Sequence, residues 1–270
     1  MPELPEVEAT VQYLQERLMG EEIYDVKVLW SKTVATGTPE PFRDALVGQV
    51  IIGSFRRGKF IGLQIGKNQQ LYLFTHLRMS GTLDVISAKN PAHTHDRVIV
   101  YFKSGKSLRF NDTRKFGRMY LYDSLDQISA RLGIEPLSMA FTPDALSSIL
   151  KAHSSRIKPL LLNQRLIAGL GNIYVDECLW KAGIHPASLS NRVSSTKTQN
   201  LHLAIQETLT EAISLLGTDF GDGVVDGGMY SPRVYGREGK DCHNCGGKIV
   251  KIVVGQRGTH LCRKCQVVRK

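Results

Sequence analysis

The chain has 270 residues, 42% of them apolar, enough for a buried core and for two domains with a small third. No stretch approaches the roughly 20 apolar residues of a membrane helix. The acidic start lacks a basic-then-apolar leader, so a cytoplasmic protein is expected. Lys and Arg number 35 against 25 Asp and Glu, a formal net charge of +10. That balance favours a polyanionic partner, most simply nucleic acid, while net charge alone leaves a merely soluble basic protein open.

The pattern opens with a helix over residues 3–19, where Val7, Val11, Leu14 and Leu18 recur at helical spacing and Gly20 is a stop signal. Pro5 fits the first turn, where its missing N–H costs nothing. Strand signals follow. "QVIIGSF", "KFIGLQI", "QLYLFTHL", "RVIVYF", "SLRFND" and "RMYLYD" are short, β-branched or aromatic, and separated by Gly, Asn and Ser. Residues 1–130 therefore read as a β-sandwich with a helix at its front. "IEPLSMAFTP" is a connector. From Pro143 to Gly217 the pattern turns helical: "TPDALSSILKAH", "IKPLLLNQRLIA", "NIYVDECLWKAG" and a long segment from Ser195 to Leu216. Residues 217–235 are glycine-rich and read as a mobile loop.

The last 35 residues form a separate module. "CHNC" and "CRKC" stand 16 residues apart, and Cys242, Cys245, Cys262 and Cys265 fit one tetrahedral structural zinc ion. His243 and His260 read as bystanders, and Cys178 as a plain core cysteine. Between the knuckles, two strand-like runs flank "GQRG". A β-hairpin is expected there with Gln256, Arg257 and Gly258 at its tip, where the Arg would probe a phosphate. The alternative is a solvated turn. Upstream, Gly169 and Gly171 allow a sharp turn between two helices. That places Asn172 at a helix N-terminus, where exposed N–H groups favour an anion.

The first residues bear on chemistry. If Met1 is removed, Pro2 exposes a secondary amine. An α-amino group has a pKa of about 8 against about 10.4 for lysine, so about a tenth of it is an unprotonated nucleophile at neutral pH. Condensed with a sugar aldehyde carbon, it gives an iminium that draws electrons and eases β-elimination of a neighbouring phosphate. A nearby carboxylic acid can protonate and open the sugar ring. The structural alternative makes Pro2 a first-turn proline, with Glu3 and Glu6 merely complementing the helix dipole.

"PELPEVE", "RRGKF", "HLRMSG", "NDTRKFG", "GLGNIYVDE" and the CxxC…QRGT…CxxC ending together resemble, in order and spacing and from end to end, a bacterial formamidopyrimidine-DNA glycosylase. That family also contains endonuclease VIII. The resemblance implies an α+β multidomain protein. Residues 1–135 would be an N-terminal catalytic β-sandwich with its leading helix, 136–225 a helix–two-turn–helix DNA-binding domain, and 235–270 a zinc-finger β-hairpin. It implies a monomeric base-excision repair enzyme, glycosylase and abasic-site lyase, acting on damaged double-stranded DNA.

Carried over by motif, Pro2 is the Schiff-base nucleophile, Glu3 the general acid and Glu6 its support. Lys59 serves β-elimination and touches a phosphate; Arg257 serves δ-elimination and binds phosphate. Asn172 and His76 grip the backbone around the damaged nucleotide, and His95, Arg114 and Lys158 match further DNA contacts, with Arg156 or His153 supplying another. An enzyme acting on a base takes it out of the stack. Met79, Arg114 and Phe116 resemble the wedge that fills the void, although Met79 or Phe116 singly would be assigned to the core. The loop after the long helix departs from the family. Its customary Arg-Tyr pair is absent and Asp219, Asp222 and Asp226 appear, so formamidopyrimidines, hydantoins, oxidised pyrimidines or bare abasic sites compete with 8-oxoguanine as substrates. Two other readings stay open: an endonuclease VIII-like enzyme for oxidised pyrimidines, and a zinc-ribbon DNA-binding protein without catalysis.

Overall fold

Leu4, Val7, Val11, Leu14 and Leu18 form one buried stripe along helix α1, Leu4–Leu18. The helix ends at Gly20, whose φ of +79° suits a residue without a Cβ. The computed structural model describes residues 1–67, 69–218 and 228–268. The chain divides into two units, one built on Met1–Ala130, the other on Arg131–Thr218 with Met229–Lys270. Asp219, Asp222 and Asp226, singled out in the sequence, lie outside the described residues.

The first unit is a sandwich of two antiparallel four-stranded sheets. One runs β1-β6-β7-β5 (Ile23–Val28, Asp96–Phe102, Lys106–Asp112, Gly81–Ser87). The other runs β2-β3-β4-β8 (Val50–Arg57, Phe60–Gly66, Leu71–His76, Arg118–Tyr122). Alternate residues turn inward: Ile61, Leu63, Ile65 and Leu73 from one sheet meet Val98, Val100, Leu108 and Phe110 from the other in a single core with the α1 stripe. This is the period-two burial that faces a sheet onto a core. Helix α2 (Pro39–Leu46) closes one side with Phe42 and Leu46, and a single turn, α3, follows at Asp126–Ser129.

The second unit begins with α4 (Pro143–Lys151), capped by Thr142, whose hydroxyl accepts from Ala145 N. α5 spans Ile157–Leu161, α6 Asn172–Lys181 and α7 Ser195–Ser214, the last capped by Ser194. The helical pattern reaches to Ala168, yet α5 stops at Leu161. Gln164 turns the chain instead: its amide donates to the carbonyls of Leu162 and Leu170 and accepts from Gly169 N. Side-chain bonding to local backbone thus competes with helix continuation. β9 (Ile249–Val254) and β10 (Arg257–Cys262) form the terminal hairpin. Gly255 and Gln256 make its two-residue turn, at φ +56° and +62°. Arg257 therefore opens β10, opposite Val254, instead of sitting within the turn.

Candidate active site

In the first unit, Pro2, Glu3 and Glu6 are all buried at the head of α1. Glu3 N donates to a Glu6 carboxylate oxygen at 2.8 Å, one half of a capping box in which Glu3 is the N-cap. Glu6 thereby fixes the backbone that carries Glu3 and Pro2. Met1 stands exposed in front of them. Arg56 on β2 pairs with Glu8 on α1 at 2.7 Å, tying the helix to the strand that leads into Gly58 and Lys59. Gly58 takes φ +57° in that turn, and Lys59 is only 6% exposed, a burial that sets it apart from an ordinary surface lysine.

Phe60, next to Lys59, pairs with His76 across β3 and β4. Burial, with help from the positive Arg78 and Lys59, lowers the His76 pKa to about 3, so the imidazole is neutral. Its Nδ1 accepts from Arg78 N at 3.0 Å, which leaves the proton on Nε2 as a donor. Met79 and Phe116 stand outside the sandwich core, 40% and 48% exposed. Arg114 lies over the Phe116 ring at 4.9 Å, so two of the three wedge residues share one turn. His95 is half-buried, with Nδ1 3.3 Å from the Arg97 guanidinium.

In the second unit, the start of α6 meets the hairpin. Asn172 donates to the Gly258 carbonyl at 3.1 Å and keeps a buried carbonyl oxygen with no partner among the described residues. A Cβ on Gly255 would come within 2.4 Å of Pro159 on α5, so the turn seats against that helix only because glycine stands there. Arg257 is exposed beside this junction, as is Arg156, the N-cap of α5. His153 is half-buried and its Nδ1 lies 2.9 Å from the Ile149 carbonyl. Lys158, expected to match a DNA-contacting position, is placed inside the unit. Its side chain is fully buried, and its ammonium donates to Asp176 at 2.6 Å and to the Gly258 carbonyl at 3.0 Å. In this conformation its charge holds the hairpin and does not face solvent.

Two acids of α6 escaped the sequence reading. Asp176 accepts from Lys158 and from His260 N at 2.8 Å. Glu177 accepts backbone N–H groups of Arg233, Val234 and Tyr235 at 2.7–2.8 Å. Burial pushes the Glu177 carboxyl up, against the opposing pull of those three donors. The available signal was "YVDECLW": two adjacent acids inside a helix whose every other face is apolar need buried partners.

The sulfur atoms of Cys242, Cys245, Cys262 and Cys265 all lie within 4.8 Å of one another. A tetrahedral Zn–S bond of about 2.3 Å requires sulfurs about 3.8 Å apart, and the Cys242–Cys265 separation is 3.8 Å. The donor set fits zinc. His243 and His260 are not part of the cluster, and Cys178 is buried in α6. The Trp180 indole on α6 donates to the Cys242 sulfur at 3.3 Å, and both pack with Val234, Ile249 and Cys262. An N–H donor of this kind orients a metal-binding thiolate.

A sandwich with a buried N-terminal proline and carboxylates, a glycine turn into a helix N-terminus and a four-cysteine hairpin define a class of DNA-processing enzyme. Family models match in the same order: the formamidopyrimidine-DNA glycosylase N-terminal domain over residues 1–119, its H2TH domain over 132–221, and the zinc finger found in FPG and IleRS over 239–267. The chain is 43% identical to the formamidopyrimidine-DNA glycosylase of Brevibacillus brevis, covering 98% of this chain and 99% of that one. It is 40% identical to the enzyme of Protochlamydia amoebophila, with coverage of 98% and 99%. Among solved structures it matches MutM in complex with DNA containing carbocyclic 8-oxoguanine (TM-score 0.92, 37% identity, 98% and 100% covered). It also matches the Lactococcus lactis Fpg with abasic-site DNA (TM-score 0.90, 36% identity, 99% and 100% covered). The chain belongs to the formamidopyrimidine-DNA glycosylase family. Four cysteines and the matching zinc-finger model give it one structural zinc ion.

Proposed function

We propose that the protein excises oxidised bases from duplex DNA and cuts the strand at the abasic site, using Pro2 as nucleophile. The head of α1 carries this reading. A chain start and two carboxylates would ordinarily seek water, yet Pro2, Glu3 and Glu6 are buried there and Glu6 braces the Glu3 backbone. With Met1 removed, the Pro2 nitrogen attacks the sugar C1′ and the base departs with the electron pair of the glycosidic bond. Glu3 delivers a proton to the ring oxygen as the ring opens, leaving an iminium on Pro2. Loss of a C2′ proton then expels the 3′ phosphate, a step in which the buried Lys59 acts. Arg257 serves the second elimination, which releases the 5′ phosphate.

Neutral His76 offers Nε2–H to a phosphate, and Asn172 acts at the N-terminus of α6, where the helix dipole favours an anion. Arg114 and Phe116 with Met79 fill the space of the extruded nucleotide, and Arg156 and His95 add contacts to the backbone. Lys158 positions the hairpin from inside. The protein works in the cytoplasm, on the cell's own DNA. A broader lesion range than 8-oxoguanine is favoured by the missing Arg-Tyr pair. The Lactococcus lactis relative has been solved with oxidised-pyrimidine DNA.

Borohydride trapping tests the reading on duplexes carrying 8-oxoguanine, formamidopyrimidine, dihydrouracil or an abasic site. Processed protein should give a covalent adduct, and protein retaining Met1 none. Glu3→Gln should still cut abasic DNA while losing base excision. Absence of adduct on all four duplexes would leave a DNA-binding protein without catalysis.

A further inference from the structure

We infer that Asp112 is the positioning residue that sets the geometry of the wedge; this rests on the assignment of Met79, Arg114 and Phe116 above. Asp112 ends β7 and pairs with Gly81, the first residue of β5. It therefore stands where the turn carrying Met79 meets the turn carrying Arg114 and Phe116. Its side chain is fully buried. One carboxylate oxygen accepts from Ser80 Oγ at 2.6 Å and from Arg114 N at 3.1 Å. The other accepts from Gly117 N at 2.7 Å. Its backbone N–H donates to the His95 carbonyl at 2.9 Å, and its own carbonyl accepts from Arg97 Nε at 2.8 Å. The carboxylate is thus spent on the wedge turns (Ser80 beside Met79, Arg114 itself, Gly117 beside Phe116), and the main chain on His95 and on Arg97, which in turn touches His95.

Two further features show that these turns are held and do not relax. Arg78 and Lys115, one in each turn, take φ of 59° and 60°, a region that non-glycine residues enter at a cost. A Cβ on Gly117 would meet Phe110 at 2.3 Å and Asp112 Oδ2 at 3.2 Å, so the second turn is drawn tight onto the carboxylate. Lys115 caps the same turn over the Trp30 ring at 4.2 Å. A carboxylate suits this place because an acceptor on both oxygens closes both turns at once.

The test uses Asp112→Asn in the full-length protein, since an amide keeps one acceptor and turns the other into a donor facing Gly117 N. The readouts are the fluorescence of a 2-aminopurine base beside the lesion, which rises when the duplex is wedged open, and covalent trapping on single-stranded abasic DNA, which needs no wedge. The Asn variant should lose about tenfold in duplex excision, with a parallel loss of the 2-aminopurine signal, while single-strand trapping stays within about twofold of the parent. An unchanged duplex signal overturns the inference, and so does an equal loss on single strands. Phe116→Ala separates the two levels. If it abolishes the signal and Asp112→Asn does not, the Asp112 inference fails alone; if it leaves the signal intact, the wedge assignment fails with it. Should the Asn variant not fold, Ser80→Ala, which removes one donor to the carboxylate, carries the test. A weakened signal at an unchanged melting temperature is expected, and a full signal overturns the inference.

Discussion

At His76, burial and two neighbouring cations decide what a common titratable group does. With its pKa lowered from the ordinary 6.5 to about 3, the imidazole carries no charge at working pH, and Arg78 N fixes the proton on Nε2. The sign follows from the depressed pKa. Relative to an unfolded chain that takes up a proton near 6.5, the neutral ring contributes stability above that pH. This stability is lost as pH falls toward the folded value. NMR should show the His76 ring constant between about pH 5 and 8, and a midpoint near the ordinary value would refute the neutral state. Sequence alone named His76 through the "HLRMSG" resemblance, but its charge state was not legible there, because burial sets it, with the charges of Arg78 and of Lys59 on another hairpin. The same limit explains Lys158. The chain displays the cation, while the acid that claims it sits 18 residues away on α6.

Among elements, α5, α6 and the terminal hairpin depend on one buried ion pair. Desolvating two charges costs several kcal/mol each, and attraction repays it only when other hydrogen bonds complete the set. Here the Gly258 carbonyl and His260 N complete it. Lys158→Met should therefore cost about 3–5 kcal/mol by stranding Asp176. Lys158→Met with Asp176→Leu should cost less than the sum of the two single changes, as thermal or denaturant unfolding would show. Additive losses would mean that the two side chains do not act as a pair. The strands show a parallel limit. Six of the eight sandwich strands were readable, whereas β1 and β5 were not. In β1 a bulge at Ile23–Asp25 buries Ile23 and Val26, a spacing of three that mimics a helix. β5 buries only Gly81 and Leu83, too few to mark a strand. The α5 boundary was overread because Gln164, a good helix former, is spent on its own turn.

On the scale of the whole molecule, the basic balance and the order of the motifs announced the architecture well, since each motif sits at a helix head, in a turn or at the cysteine cluster. The second unit depends on its metal for more than the hairpin: α6 reaches the zinc ligands through Trp180 and the hairpin through Asn172 and Asp176. Chelation should therefore abolish DNA binding as the hairpin unfolds; undiminished affinity in gel-shift titrations after verified zinc loss would separate metal from binding. The indole on Cys242 also gives the protein two optical channels. Of the two tryptophans in the chain, Trp180 looks onto the thiolates and Trp30 lies beneath Lys115 in the turn proposed above to enter DNA. With Trp30→Phe, emission follows metal occupancy alone; with Trp180→Phe, it follows the docking of the duplex. One chain can thus be watched losing its ion and gripping its substrate without any attached dye.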